Sequence, residues 1–231
     1  MENVTLSTGR ALPRPGRVVR LPGVYAPQTD SYFLASAMRR EGIGPGMDVL
    51  DLCTGTGALA LRAALLGART TAVDISRRAV ATARLNASIA GLPVAVHRSD
   101  LLSAVRGRRF DAVVSNPPYV PSPRPSLPRR GTERAWDAGL DGRALVDRIC
   151  DAAPDALKPG GLLLMVHSAL SDPEASLRRL ERAGLSASIS DRLSIPFGPV
   201  LRGRLGWLRE RGLLPVGQST EELVIVRARK N

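Results

Sequence analysis

The stretch MDVLDLCTGTGALALRAALLG, residues 47 to 67, restricts the fold more than any other part of the chain. MDVLDLC has the pattern of a buried strand, TGTG is a glycine turn, and ALALRAALLG carries helix formers without a β-branched residue. Strand, turn and helix follow in immediate succession, and the unit then repeats. RTTAVDI reads as a strand, SRRAVATARLNASIAG as a helix capped by Ser76, and LPVAVHR and FDAVVSN as two further strands. GRALVDRICDAAPDAL is helical, GGLLLMVHS is a buried strand, DPEASLRRLERAG is a helix opened by acids, LSASISD is a short alternating strand, and EELVIVRAR closes the series. Ahead of the first strand, QTDSYFLASAMRREG predicts a helix of about 11 residues that Thr29, Asp30 or Ser31 would cap and Gly42 would end. Strands alternating with helices predict a single α/β domain: a mostly parallel, doubly wound, seven-stranded sheet with helices on both faces.

In such a sheet, ligands sit at the carboxyl ends of the strands. Gly55 and Gly57 lie at the first strand's end, where missing side chains let backbone N–H groups approach a ligand, with Thr54 between strand and glycine. Asp74, followed by Ile75, ends the second strand, where a carboxylate would take both hydroxyls of a ribose. Asp100 ends the third strand and would take the exocyclic amino group of adenine. GTGALA also fits the loose dinucleotide pattern G-x-G-x-x-A. Asp51 separates the two cofactors. A buried acid four positions before the first glycine is costly without a partner. S-adenosylmethionine offers an α-ammonium and a sulfonium there, whereas a nicotinamide dinucleotide offers a diphosphate that Asp51 would repel. A satisfied core carboxylate is the other reading of Asp51.

The fourth strand stops in SNPPY, and Pro117 and Pro118 have no N–H to continue a ladder. Beside a methyl donor those prolines take on a second meaning. The side-chain carbonyl of Asn116 and the backbone carbonyl of Pro117, held by Pro118, form two acceptors for the hydrogens of a planar NH2, and Tyr119 offers a flat face for stacking. A plain strand end and turn would also use these prolines. His167 follows a buried strand and is expected to be structural.

The formal net charge is +12, with lysine only at Lys158 and Lys230, so the surface is rich in arginine. That favours phosphate-rich partners such as RNA or ribosomes, although an arginine-rich surface alone would show the same balance. Aromatic residues make up only 3% of the chain, so the core must be aliphatic. Cys53 and Cys150 form no C-x-x-C pair, as expected for a cytoplasmic protein without structural disulfides or a zinc site. GGLLLMV at 160 to 166 is far shorter than the roughly 20 apolar residues of a membrane span. Residues 1 to 23 read as a basic, extended arm, 24 to 231 as the domain proper, 117 to 141 as a substrate loop, and 192 to 219 as a basic insertion.

With DLCTGTG, AVDIS and SNPPY in this order, the chain resembles the class I S-adenosylmethionine-dependent methyltransferases that carry an (N/D)PP(Y/F) motif. More narrowly it resembles the HemK-related protein glutamine methyltransferases. GVYAPQTDSYFL and ERAWDAGLDGRALVDR make it most similar to the short branch that lacks an N-terminal helical domain. The resemblance implies a Rossmann-like fold, and S-adenosylmethionine as donor with S-adenosylhomocysteine as product. It places Tyr25 and Ser31 near the methionine part, with serine where threonine is common. Asp51, Gly55 and Gly57 would lie at the carboxyl and amino end, Asp74 at the ribose, and Asp100 with Leu101 at the adenine. Asn116, Pro117, Pro118 and Tyr119 would hold the target amide, with Asn116 also touching the cofactor. The implied substrate is a glutamine in peptide chain release factors, and short-branch eukaryotic enzymes work with a small zinc-binding partner subunit. Adenine in RNA or DNA, or a small-molecule amine, would suit the same pocket, and a non-catalytic RNA-binding or assembly role is the remaining alternative. Trp136, Gly142 and Arg143 match the segment behind the substrate loop, while Cys53 and the insertion depart from the pattern.

Overall fold

The computed structural model describes residues 18–231. The arm expected over residues 1 to 23 lies, up to residue 17, outside the described residues. Seven strands form one sheet: β1 (Asp48–Leu52), β2 (Arg69–Asp74), β3 (Val94–Arg98), β4 (Phe110–Ser115), β5 (Leu157–Ser168), β6 (Leu185–Pro196) and β7 (Thr220–Lys230). Their order is β3-β2-β1-β4-β5-β7-β6, parallel from β3 to β5 and antiparallel on both sides of β7. The helices are α1 (Thr29–Arg40), α2 (Ala58–Leu65), α3 (Arg77–Ala90), α4 (Ala144–Ala156), α5 (Pro173–Arg182), α6 (Pro199–Arg202) and α7 (Leu205–Glu210). Helix α2 packs against both α1 and α3, and α4 packs against α5, so both faces of the sheet are covered.

That double cover explains the composition of the strands. Leu163 and Leu164 on β5 are both fully buried although their side chains point to opposite faces, as are Val113 and Val114 on β4. Each such side chain contributes about 2 kcal/mol of hydrophobic stabilisation. From β1 the chain steps outward to β2 and β3, then crosses back to β4 on the other side of β1 and continues to β5. The reversal between β1 and β4 opens a crevice at their carboxyl ends, the switch point at which open α/β sheets bind ligands.

Three local expectations differ from the structure. Helix α1 begins as expected, but Gln28 occupies the cap position with no side-chain hydrogen bond, and Asp30 is buried inside the first turn. The strand read as LSASISD runs on to Pro196. Its pairing with β7 shifts register between Ile189 and Asp191. The inward–outward alternation continues across it, with the odd-numbered residues from Leu185 to Ile195 the more buried, so the charged Asp191 and Arg192 lie within the strand and do not end it. Residues 192 to 219 are therefore not one loop: five belong to β6, and Phe197, Leu201, Leu208 and Leu214 form a small buried cluster around α6 and α7. Among the described residues no helix is long and apolar enough to cross a membrane.

Candidate functional site

A cavity of about 1000 Å³ opens at the β1/β4 switch point. Its cofactor side begins where β1 ends. Cys53 and Gly55 both take positive φ, at 60° and 55°, and a Cβ added at Gly55 would meet nothing within 4 Å. Gly55 therefore presents bare backbone to open space, the cradle that a ligand's polar end needs. Gly57 serves differently. It does not line the cavity, and a Cβ there would lie 3.1 Å from the Cβ of Ala83, so its bareness lets α3 approach the turn.

Asp51 also lies off the cavity wall, beneath the turn. Its Oδ2 accepts from the Thr54 hydroxyl at 2.5 Å and from the Ala60 N–H at 3.0 Å. Gly57 caps α2 without a side chain, so Asp51 satisfies one of the helix's orphan N–H groups in its place. Burial pushes the carboxyl up to about 7, and Oδ1 has no hydrogen-bond partner among the described residues. An unsatisfied acid below a bare glycine turn has the polarity that the ammonium end of S-adenosylmethionine requires.

At the end of β2, Asp74 accepts from Gly55 N–H at 3.0 Å through Oδ2 and from Ser76 N–H at 2.8 Å through Oδ1. Burial raises its pKa, and each oxygen keeps a lone pair beyond the backbone bond. Ile75 is half exposed on the same wall. Asp100 stands at the far rim, where both of its oxygens accept from Arg148 Nη2 at 2.9 Å. Leu101 next to it takes φ 46°, fixed by the Ser99 hydroxyl donating to its carbonyl at 2.7 Å.

The acceptor side begins where β4 ends. Ser115 donates to the Leu52 carbonyl at 2.9 Å, binding β4 to β1 where they diverge. Asn116, Pro117, Pro118 and Tyr119 all line the cavity, in company with Tyr25, Ser31, Thr54, Gly55, Asp74, Asp100 and Leu101. The Asn116 amide nitrogen donates to Ser31 Oγ at 3.2 Å, which turns its carbonyl oxygen to the other side. Tyr119 is largely buried, and its hydroxyl donates to Asp30 at 3.2 Å.

Asp30, which the sequence identified only as a possible cap, connects these parts. Its Oδ2 accepts from both Tyr25 at 2.9 Å and Tyr119, while its Oδ1 accepts from the Ser31 backbone at 2.6 Å and hydroxyl at 3.2 Å. One buried carboxylate thus fixes Tyr25, Tyr119 and, through Ser31, Asn116. Burial first, then the charge of Asp30, drives both tyrosine pKa values upward, so both remain hydrogen-bond donors.

Behind the loop, Gly142 at φ 73° packs against the Tyr119 carbonyl, which accepts from Ser171 Oγ at 2.7 Å. Arg143 is buried and donates to the Ser171 carbonyl, to the Asp172 carbonyl at 2.5 Å, and to Asp147 at 2.6 Å. It anchors the loop that carries Ser171. His167 is structural, as expected: fully buried, with Nδ1 beside the Ser168 carbonyl at 2.9 Å and Nε2 beside Ser176 Oγ at 3.1 Å. Burial lowers its pKa to about 4.

Glu221, another acid that sequence reading passed over, is 5% exposed at the start of β7. Burial pushes its carboxyl from the ordinary 4.5 up to about 7. An unfolded chain releases this proton near 4.5 and the folded one near 7, so stability is full below the lower value and falls as pH rises to the upper. The drop is on the order of 3 kcal/mol. Asp51 has the same sign over a similar window. Glu221→Gln is expected to reduce the loss of stability between pH 5 and pH 8 by about half, measured by urea unfolding at both values. An unaltered loss would show that Glu221 is not a source of it.

Residues 16–125 match the family described as the methyltransferase small domain. A Methanocaldococcus jannaschii protein provisionally named a protein N5-glutamine methyltransferase is 33% identical, over 76% of this chain and 88% of its own length. The release factor glutamine methyltransferase of Deinococcus radiodurans is 37% identical over 71% of this chain, which spans only 57% of that protein. Among solved structures, Mtq2 of E. cuniculi aligns with a TM-score of 0.64 and 27% identity over 90% of this chain and 99% of its own; it was solved with Trm112 as the complex that methylates the termination factor eRF1. The methyl donor is S-adenosylmethionine, and the chain belongs to the HemK-related class I S-adenosylmethionine-dependent methyltransferases.

Proposed function

We propose that this enzyme methylates the side-chain amide nitrogen of a glutamine, and that the glutamine belongs to a peptide chain release factor. The observation that carries the reading is that Asn116 and Pro117 open into the same cavity as the Gly55 turn and Asp74. S-adenosylmethionine supplies an electrophilic methyl on a sulfonium sulfur. The protein's own part is to hold the nucleophile. With the Asn116 amide nitrogen engaged by Ser31, its carbonyl and that of Pro117 accept the two hydrogens of a planar NH2. A fixed amide plane presents the nitrogen in line with the methyl, so positioning is the main catalytic term. Tyr119 walls the slot, and its hydroxyl, held by Asp30, cannot swing into it.

The acceptor follows from the relatives named for glutamine methylation and from the Mtq2 structure. Arg129, Arg130 and Arg134 at the mouth favour a substrate presented near ribosomal phosphate, in the cytoplasm, and a partner subunit like the one bound to Mtq2 belongs to the same proposal. Purified enzyme, release factor and S-adenosylmethionine are expected to yield a one-methyl mass increase on a single glutamine. Adding ribosomes to the same assay tests the second part through the salt dependence of the rate. No product on any cognate factor, with label appearing instead in RNA or a metabolite, would overturn the acceptor assignment.

A further inference from the structure

The cavity's outer wall is a loop of two arms. Val120 N–H donates to the Trp136 carbonyl at 2.8 Å, Ala138 N–H to the Val120 carbonyl at 3.0 Å, and Ser122 N–H to the Gly139 carbonyl at 2.8 Å. The outgoing arm continues directly from Tyr119, and the returning arm carries Trp136, which lines the cavity. Between them Asp137 is 2% exposed, and its Oδ2 accepts from the Ser122 hydroxyl at 3.0 Å.

A buried carboxylate needs a countercharge, and among the described residues Asp137 pairs with Arg204. Arg204 Nη1 lies 2.7 Å from Asp137 Oδ1, close enough to attract it but not aligned for a hydrogen bond. The same nitrogen donates to the Pro121 carbonyl at 2.9 Å. Arg204 thus reaches both arms at once. Its backbone is itself fixed at the junction of α6 and α7, where its N–H donates to Leu201 and its carbonyl accepts from Leu208, each at 2.9 Å. The buried cluster of Phe197, Leu201, Leu208 and Leu214 packs against Val120 from the same side.

We infer that Arg204 is a positioning residue for the methyl acceptor: with α6 and α7 behind it, it sets the distance between the Asn116–Tyr119 wall and Trp136. The donor's contacts lie across the cavity at Gly55 and Asp74, so removing Arg204 should loosen the acceptor's side and leave the donor's side intact. The kinetic consequence rests on the proposed function above, whereas the displacement of Trp136 does not.

The chain has two tryptophans, so Trp207→Phe leaves Trp136 as the single reporter of the returning arm. In that background Arg204→Met, which keeps an apolar stem and removes the guanidinium, is expected to shift Trp136 emission to the red and increase its quenching by iodide. In the otherwise native chain, Arg204→Met should raise KM for release factor about tenfold, as losing one charge-assisted hydrogen bond implies, with Kd for S-adenosylmethionine unchanged within about twofold. Arg204→Lys should recover part of the KM effect. If Arg204→Met folds poorly because Asp137 is left uncompensated, Arg204→Met with Asp137→Asn removes both charges and should show the same emission shift in the Trp207→Phe background. Unchanged Trp136 emission, or an equal loss of donor and acceptor binding, would overturn the inference. Inactivity of the native enzyme on release factor, with the emission shift still caused by Arg204→Met in the Trp207→Phe background, would refute the acceptor assignment alone.

Discussion

Asn116→Ala is expected to reduce methyl transfer by at least about a hundredfold while changing the Kd of S-adenosylmethionine by less than about threefold. Asn116 stands at the end of β4 with its amide nitrogen donated to Ser31 Oγ, so its carbonyl is the side of the group left for a substrate NH2. The other acceptor, the Pro117 carbonyl, survives the substitution. One acceptor holds an NH2 on a pivot, whereas two define its plane, and loss of alignment in a transfer governed by positioning costs on the order of a hundredfold. Gly55 and Asp74, the residues proposed to hold the donor, come from other elements, and their mutual hydrogen bond remains. Single-turnover rates with labelled donor, alongside calorimetric titration of the donor, separate the two effects. Turnover within tenfold of native would mean that Asn116 does not orient the acceptor. Weakened donor binding of the same size as the rate loss would place Asn116 in the donor's site instead.

Which parts of this site are legible in the sequence follows from where their partners lie. The Gly55 turn, Asp74 and the NPPY strand end are contiguous signals: each sits at the end of a strand whose apolar pattern is itself readable, and the alternation of elements fixes that those ends are adjacent. Asp30 is different. Its short-range neighbours look like a helix start, but its function depends on Tyr119, 89 positions away, folding back onto α1. Glu221 arrives from the last strand and Arg204 from the insertion, 83 positions beyond Pro121. No local pattern pairs such residues; only the closed sheet does. Asp51 is an intermediate case. Its acidity in a buried strand signals a special task, but the structure gives it two local ones, holding Thr54 and capping α2, beneath a turn whose cap glycine has no side chain. The underestimate of β6 comes from Asp191 and Arg192, two charged residues in mid-strand: the inward–outward alternation runs unbroken past them to Ile195, and the bulge between Ile189 and Asp191 shifts only the pairing with β7. An edge strand tolerates such charges and is protected by them against further pairing.

Gly142→Ala is expected to cost about 3 kcal/mol or more of stability and to eliminate most activity even in the fraction that remains folded. The position has φ 73°, where an L side chain carries a penalty of about 1–2 kcal/mol. The added Cβ would also overlap the Tyr119 carbonyl oxygen and the Ser171 hydroxyl, with Pro121 Cδ close behind at 3.1 Å. Two of those three atoms are backbone or ring, so relief requires moving the chain, and overpacking of this kind typically costs about 1–3 kcal/mol more. The displaced chain is the segment that follows Asn116 and Pro117, so relief breaks the Ser171 bond to Tyr119 and shifts the acceptor wall. The unfolding temperature should fall by several degrees, and the residual folded protein should bind S-adenosylmethionine normally, because the proposed donor side is the Gly55 turn after β1 and Asp74 at the end of β2. A control with Gly46→Ala, also at positive φ but with nothing within 4 Å of an added Cβ, carries the backbone penalty alone and should keep its rate of transfer. If both variants lose stability and activity to the same degree, the effect is one of backbone conformation, and the packing of Gly142 against Tyr119 has no bearing on catalysis.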